Sequence, residues 1–311
     1  MTNNITQRDA FWNRVYEMAK VNRNIVIVSA DMGAPSMDRI RRDLAAQFVN
    51  VGIAEQNAIL IASGLALKGK RVFVYAIAPF ITLRCLEEIR VQNGLMKIPL
   101  TIVGVGAGLG YEDSGPTHHL IEDIAIMRAL PYITIHSVTD STMAVAVAEM
   151  SCSMKTTNYV RLERKKLPDV YQPGADFSAG LSVLQESKDY YIISTGNMTH
   201  RALEIAAQLN RTKHQIGVID VHTLPINGEL LVSTVKGAKR IVTLEEHFLM
   251  GGMGSAVCEV LADRQLLIPV KRIGMSSAKG YCYEYGGREA IRKYYGIDKE
   301  SVAKTVVDFF K

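Results

Sequence analysis

The chain has 311 residues, 48% hydrophobic and 22% charged, which is enough apolar material to bury a sizeable core in two domains. With 24 glycines and 9 prolines it has neither the composition of a disordered chain nor that of a collagen-like repeat. The formal net charge of +5 is spread along the chain without a basic block, which suits small anionic metabolites and argues against nucleic acid as a partner.

The N-terminal MTNNITQRDAFW has no basic segment leading into an apolar run, so no signal peptide is expected. Short β-branched runs then alternate with longer helix-period segments, the pattern of parallel sheets covered by helices. In the first half, strands are expected at 24–29, 48–51, 71–75, 100–105, 133–135 and 159–162, and helices at 7–21, 55–68, 80–92 and 139–150. Asp140 and Ser141 supply N-cap chemistry for the last of these helices. The longest uncharged stretch, 98–111, is too short and too glycine-rich to span a membrane, so no membrane partner is expected. From Arg164 the stretch RKKLPDVYQPGADFSAG loses any sustained period and reads as a linker. A second α/β block follows, with strands at 190–194, 215–221, 240–244 and 269–273 and helices at 199–209, 254–262 and 287–295. The fold class is therefore α/β with two domains, 1–168 and 188–311, joined by a linker over 169–187. Cys85, Cys152, Cys258 and Cys282 lie far apart with no CxxC spacing, as expected of ordinary buried thiols in a reducing cytoplasm.

Three segments carry chemistry. In VNVGIAEQNAILIASGLALKG (49–69) the chain turns at Gly52 and brings Glu55 to the start of an apolar, small-residue helix. Glu55 either favours the helix N-terminal dipole or is a carboxyl kept protonated by apolar surroundings so that it donates a hydrogen bond. In GVGAGLGYEDSGPTHHLIED (104–123) glycines after a strand allow close approach of a ligand, and Asp113, Ser114, Thr117, His118 and His119 crowd one loop. Adjacent histidines are also compatible with an exposed turn that has no chemistry. In the basic cluster, Lys165 and Lys166 suit a solvated linker, whereas Arg161 and Arg164 stand at a strand end where a guanidinium can fork onto an anionic substrate.

The words VSAD (28–31), VGIAEQN (51–57), EDSGPTHHLIEDIAIMRALP (112–131) and RLERKKLP (161–168), in this order and spacing, make the chain resemble transketolase over nearly its whole length. The part resembled is the pyrimidine-binding domain plus the C-terminal domain. The resemblance implies thiamine diphosphate as cofactor and sugar substrates. It places Glu55 on N1′ of the aminopyrimidine, Phe80 against the ring, and Asp31 with the cofactor-binding residues. His118 and Asp113 would contact donor hydroxyls and move protons. Arg8, Ser36, Ser114, Arg161 and Arg164 would hold the substrate. Two departures stand out: the family's EDGPTH reads EDSGPTH here, and the family's phosphate-binding His or Arg aligns with Gly106. The GDG…N motif that holds Mg2+ and the diphosphate does not occur. The resemblance therefore implies a separate partner subunit carrying the diphosphate-binding domain and Mg2+, in an α2β2 assembly. The stretch LEEHFLMGGMGSAV (244–257) resembles the family's C-terminal domain, expected to build the oligomer interface and shape the substrate funnel, with His200, His222 and His247 in structural roles. Competing expectations are a 2-oxo-acid dehydrogenase β subunit, a deoxyxylulose-phosphate-synthase-like enzyme, disfavoured by Leu86 where that family has tyrosine, and a non-catalytic scaffold.

Overall fold

The computed structural model describes residues 5–211 and 215–311, so the first four residues of the segment read above for a leader lie outside it. In chain order the strands are β1 (Ile25–Ser29), β2 (Phe48–Asn50), β3 (Arg71–Ile77), β4 (Thr101–Val105), β5 (Ile133–Ser137), β6 (Thr157–Leu162), β7 (Leu181–Gln185), β8 (Tyr190–Ser194), β9 (Ile216–Val221), β10 (Thr223–Leu224), β11 (Arg240–Phe248) and β12 (Val270–Met275). The helices are α1 (Gln7–Val21), α2 (Pro35–Asp43), α3 (Glu55–Leu67), α4 (Ala78–Thr82), α5 (Leu86–Ile89), α6 (Asp123–Arg128), α7 (Ser141–Ser153), α8 (Met198–Leu209), α9 (Gly228–Val235), α10 (Met253–Asp263), α11 (Gly287–Tyr295) and α12 (Lys299–Phe310).

Two sheets form. The first runs β10-β5-β6-β4-β3-β1-β2 and is parallel except for β10; the second runs β12-β11-β8-β9-β7 and is parallel except for β7. Every residue of β1, β4 and β6 is buried. Helices cover both faces, which is why these strands are apolar runs without an alternating pattern. Ile27, Phe73 and Val103 face α1 and α7, packing on Phe11, Trp12 and Val147, while Val28, Val74 and Ile102 face α3 and pack on Ala58 and Ile59. That division follows from the two-residue period of a strand. Thr6 caps α1 by accepting from Asp9 N at 3.1 Å, and Asp140 caps α7 by accepting from Met143 N at 2.8 Å.

The helix expected over 80–92 is broken into α4, α5 and a π-helical turn at Arg90–Leu95. At the break the Cys85 thiol donates to the Phe80 carbonyl, taking up a group the helix leaves free. The segment 169–187 is not an open tether. Tyr171 and Phe177 are buried against the first domain, and the segment ends in β7, the antiparallel edge of the second sheet. Conversely β10, well past residue 188, adds to the first sheet with Thr223 opposite His136. Each half of the chain thus lends backbone to the other's surroundings, and the two units pack closely along this seam. Cys85 and Cys282 are buried, Cys152 and Cys258 partly so, and all four are unpaired. No helix among the described residues is long and apolar enough to cross a membrane.

Candidate active site

Because β1, β2, β3, β4 and β6 are parallel neighbours, their C-terminal ends share one edge of the sheet. The chain leaves β1 outward to β2, then returns across it to β3. Such a reversal opens a crevice at the strand ends, where open parallel sheets bind ligands. The segments leaving these strands carry Asp31, Glu55, Phe80, the loop 106–119 and Arg164.

Glu55 is the first residue of α3 and only 4% exposed. Its Oε2 accepts a 2.6 Å hydrogen bond from Nη1 of Arg84, a partner that neither sequence-based expectation included. Arg84 lies at the break between α4 and α5. The Arg84 guanidinium also lies 4.3 Å from the centroid of the Phe80 ring, a cation–π contact. Phe80 in turn meets the His118 ring edge-on, 5.1 Å between centroids at 70°. Nδ1 of His118 is engaged by the Thr117 hydroxyl at 3.0 Å. On its other side stands Tyr111, 6.0 Å away, and Arg164 lies over the Tyr111 ring at 4.6 Å. Nη1 of Arg164 donates to Asp113 at 3.1 Å, and the Ser114 hydroxyl reaches the same carboxylate oxygen at 3.4 Å. Glu55, Phe80, His118, Asp113, Ser114 and Arg164, dispersed over more than a hundred residues of sequence, thus form one continuous row. Hydrogen bonding from its own backbone N–H and the Arg164 charge hold the Asp113 carboxyl below its usual range. The two adjacent histidines separate: His118 faces the crevice, while His119 turns inward, where burial lowers its pKa.

Gly106 explains the departure noted there. It has φ +94°, and the Tyr111 ring lies 2.3 Å from where a Cβ would stand, so a His or Arg at 106 and this tyrosine exclude each other. Tyr111 fills that room and brings its phenol near both Arg8 and Arg164; burial raises its pKa and the two arginines pull it down, with burial dominant.

Arg8 projects from the first turn of α1. It donates through Nε to Asp9 at 3.2 Å, and Asp9 also accepts from Ser36 at 3.1 Å and Thr6 at 2.8 Å. Burial costs the Arg8 charge, but Asp9 outweighs it and the pKa rises. Arg8 and Ser36 therefore share one carboxylate.

One expectation changes. Arg161 does not face the crevice. It sits on β6, which is covered on both faces, and its guanidinium is buried against Asp123 of α6 and the Ser137 hydroxyl at 3.1 Å. A strand residue with neighbours on both faces has no route to solvent; Arg164, beyond the strand end, does. Asp31 has φ +53° and exchanges hydrogen bonds with Asn50, at 3.2 and 3.1 Å, tying the end of β1 to that of β2. No hydrogen bond or ion pair among the described residues links it to Glu55 or Phe80. His222 and His247 are buried, and Nε2 of His200 meets the Thr139 carbonyl at 3.0 Å across the domain junction. Arg84, Tyr111 and the buried Glu163 were not anticipated as site residues. Tyr111 had a signal, an aromatic residue inside the glycine-rich word, but Arg84 had none in a helix-period segment.

Residues 3–170 match the family model of the transketolase pyrimidine-binding domain and residues 180–302 that of the transketolase C-terminal domain. The chain is 33% identical to an apulose-4-phosphate transketolase subunit of Phocaeicola vulgatus, over 100% of both chains. It is 28% identical to a 6-deoxy-6-sulfo-D-fructose transketolase subunit of a Clostridium species, covering 96% of this chain and 92% of that one. A 1-deoxy-D-xylulose-5-phosphate synthase of Caldanaerobacter subterraneus is also 28% identical, but only 49% of its length is matched. Among solved structures, a split-gene transketolase described as an inactive β4 tetramer superposes with a TM-score of 0.86 at 32% identity, over 98% of each chain. The chain belongs to the transketolase family and corresponds to the second subunit of its split members.

Proposed function

We propose that this subunit, together with a separate chain carrying the diphosphate-binding domain, uses thiamine diphosphate to transfer a two-carbon ketol unit from an anionic ketose to an aldose. The observation that carries this reading is Glu55: a nearly buried carboxylate at the crevice, with one oxygen directed at an exchangeable partner and an aromatic ring and an imidazole beside it. That donor set suits an aminopyrimidine, which needs an acidic partner at N1′ and a flat apolar neighbour. When bound, the cofactor supplies an electron sink that allows the bond beside the ketose carbonyl to break.

The chain's own residues do the rest. Glu55 would hold N1′ of the aminopyrimidine through the carboxylate that Arg84 now pairs. Phe80 offers its face to the ring. His118, fixed through Nδ1 by Thr117, presents its other nitrogen to a donor hydroxyl for proton transfer, and Asp113 with Ser114 accepts from a neighbouring one. Arg164 and Arg8, with Tyr111 between them and Ser36 behind, take the anionic end of the sugar. By their names, two relatives act on apulose 4-phosphate and on a sulfonated fructose, which supports an anionic substrate.

The surface around Glu55 supports a partner chain. Ile53 is 81% exposed and Leu60 is exposed on α3, an apolar rim that a second polypeptide would cover. We assign the diphosphate and Mg2+ to that partner, in an α2β2 complex, because this chain's strand-end residues are committed to the ring and the sugar. The β-only assembly of the split-gene relative is described as inactive, which supports the same requirement. Four unpaired thiols go with a cytoplasmic location. Reconstitution tests the reading: the subunit mixed with its partner, thiamine diphosphate and Mg2+ transfers ketol units, and the subunit alone does not. Full activity of the lone chain, or acyl transfer to a lipoyl domain in place of ketol transfer, overturns it.

A further inference from the structure

The segments that carry both arginines assigned above to the anionic end of the sugar are tied to one residue, Glu163: that of Arg8 through its backbone N–H and that of Arg164 through its carboxylate. Glu163, 2% exposed, follows β6 directly. Its Oε1 accepts from the backbone N–H groups of Arg164 at 2.8 Å and Lys165 at 3.2 Å. Its own N–H donates to Oε1 of Gln7 at 2.8 Å, and Gln7 immediately precedes Arg8 in the first turn of α1. The side chain of Gln7 is held from its other end by the Val138 carbonyl at 3.1 Å. Glu163 thus sets the backbone beneath Arg164 and the helix start that carries Arg8.

What holds Glu163 comes from the second domain. Nη1 of Arg288, at the start of α11, pairs with its Oε2 at 2.7 Å, and Asn197 Nδ2 donates to the same oxygen at 3.2 Å. Arg288 is 8% exposed and also forks onto Glu246 of β11, through Nε at 3.0 Å and through Nη2. Glu246 accepts from the backbone N–H of Leu109 at 3.0 Å, inside the glycine-rich loop that leads to Tyr111. The approach is possible because position 108 is glycine, at φ +60°: a Cβ there would stand 2.3 Å from the Glu246 carboxylate. Arg292 adds a 2.7 Å bond to Glu246, and the two guanidiniums hold that carboxyl far below its usual pKa although burial alone would raise it.

We propose that Arg288 is a positioning residue of the anion site: one guanidinium of the second domain clamps, through Glu163 and Glu246, the three segments that present Arg8, Arg164 and Tyr111. The proposal rests on the assignment of Arg8 and Arg164 to the anionic end of the sugar. Its physical basis is directional. A guanidinium whose three nitrogens each meet a carboxylate oxygen fixes the separation of those carboxylates, and each carboxylate fixes backbone N–H groups adjoining the site. Arg288 itself need not touch the substrate.

The test uses the assembled complex with the partner chain. Two donors are compared, an anionic ketose turned over by the wild-type complex, fructose 6-phosphate first, and uncharged erythrulose, with glyceraldehyde as common acceptor. Arg288→Met is expected to raise KM for the anionic donor by about tenfold while leaving kcat and the erythrulose KM near wild type, the size of effect a small misplacement of a binding group produces. Arg164→Met should cost more on the anionic donor than on erythrulose, and the double variant should lose less than the product of the two single losses, because Arg288 acts in part through Arg164. Arg288→Lys keeps the charge but cannot span both carboxylates; it should discriminate in smaller measure, and it carries the test if Arg288→Met does not assemble. An equal loss on both donors, wild-type KM values in Arg288→Lys and Arg288→Met, or effects of positions 288 and 164 that simply multiply would overturn the clamp. If Arg164→Met and Arg8→Met treat both donors alike, the anion assignment itself fails; if they discriminate and Arg288→Met does not, only the clamp fails.

Discussion

Two ion pairs stand on either side of the end of β6, and they differ in every respect but chemistry. Arg164 and Asp113 meet at 3.1 Å with side chains 40% and 66% exposed, while Arg288 and Glu163 meet at 2.7 Å with side chains 8% and 2% exposed. An exposed pair contributes little to stability, and its members exchange partners readily when a sugar hydroxyl or an anion arrives. A buried pair costs desolvation that only a full set of hydrogen bonds offsets, so it persists and defines geometry. The Arg164–Asp113 pair at the crevice is of the first kind and the Arg288 pairs at the domain junction are of the second, while Glu55 and Arg84 form a mixed pair with a buried carboxylate and a half-exposed guanidinium. Substitutions in the crevice should therefore change activity and spare the fold, and those at the junction should do the reverse or act through position.

The largest departure should come from Glu55. Glu55→Ala in the reconstituted complex is expected to lose ketol transfer by about 10²–10⁴-fold, the range of a missing acid–base group, with thermal unfolding close to wild type. Activity within a few-fold of wild type would separate Glu55 from the chemistry.

At the junction, Glu246→Ala leaves Arg288 and Arg292 buried against a missing carboxylate. Denaturant unfolding should show a loss of about 3–5 kcal/mol, as for other buried pairs broken from one side. A loss under about 1 kcal/mol, the size for an exposed pair, would erase the contrast.

Asp113→Ala returns to the crevice. Stability should stay within about 0.5 kcal/mol of wild type, while donor KM rises roughly tenfold from a lost hydrogen bond to a charged group. Steady-state kinetics and thermal unfolding on the same preparation decide whether the two effects separate.

A further expected effect is a pH slope. Burial pushes the Asp220 carboxyl up to about 7 from 3.8, although Thr139, Tyr171 and Thr199 all donate to it. The folded chain therefore binds this proton more tightly than the unfolded chain. That contribution is fully present below pH about 4 and is lost as pH rises from there to about 7. The Glu246 carboxyl has the opposite sign: it lies below its ordinary value, and its contribution is lost as the solution is acidified past 4.5. Urea midpoints of wild type and Asp220→Asn should diverge between pH 4 and 7, with the variant gaining relative to wild type as pH rises. A difference that stays constant over that range would mean Asp220 does not titrate as its burial dictates.

Much of the site was legible before the structure, for a local reason. Glu55 at a helix start, the glycine-rich word after a buried strand, and His118 beside Asp113 are each defined by neighbours within a few residues. The helices Gln7–Val21 and Gly287–Tyr295 and the strand Tyr190–Ser194 have the bounds expected from the local sequence. The basic cluster was harder. Arg161 and Arg164 look alike as residue types, and only the covering of both faces of β6 separates a buried partner of Asp123 from a crevice arginine. Position 106 was legible as an absence and could not be read as a replacement, because the ring that fills its space arrives from five residues on through a left-handed turn.

From sequence alone follow the two α/β domains, the family, and the identity of most residues at the strand ends, since period, glycine placement and word order are properties of short stretches of chain. The tertiary structure decided which charges meet. Gln7 and Glu163 are 156 residues apart and Leu109 and Glu246 are 137 apart, and no local pattern encodes such contacts. A buried charge takes whichever partner the packing brings within hydrogen-bonding distance, and that choice belongs to the assembled fold.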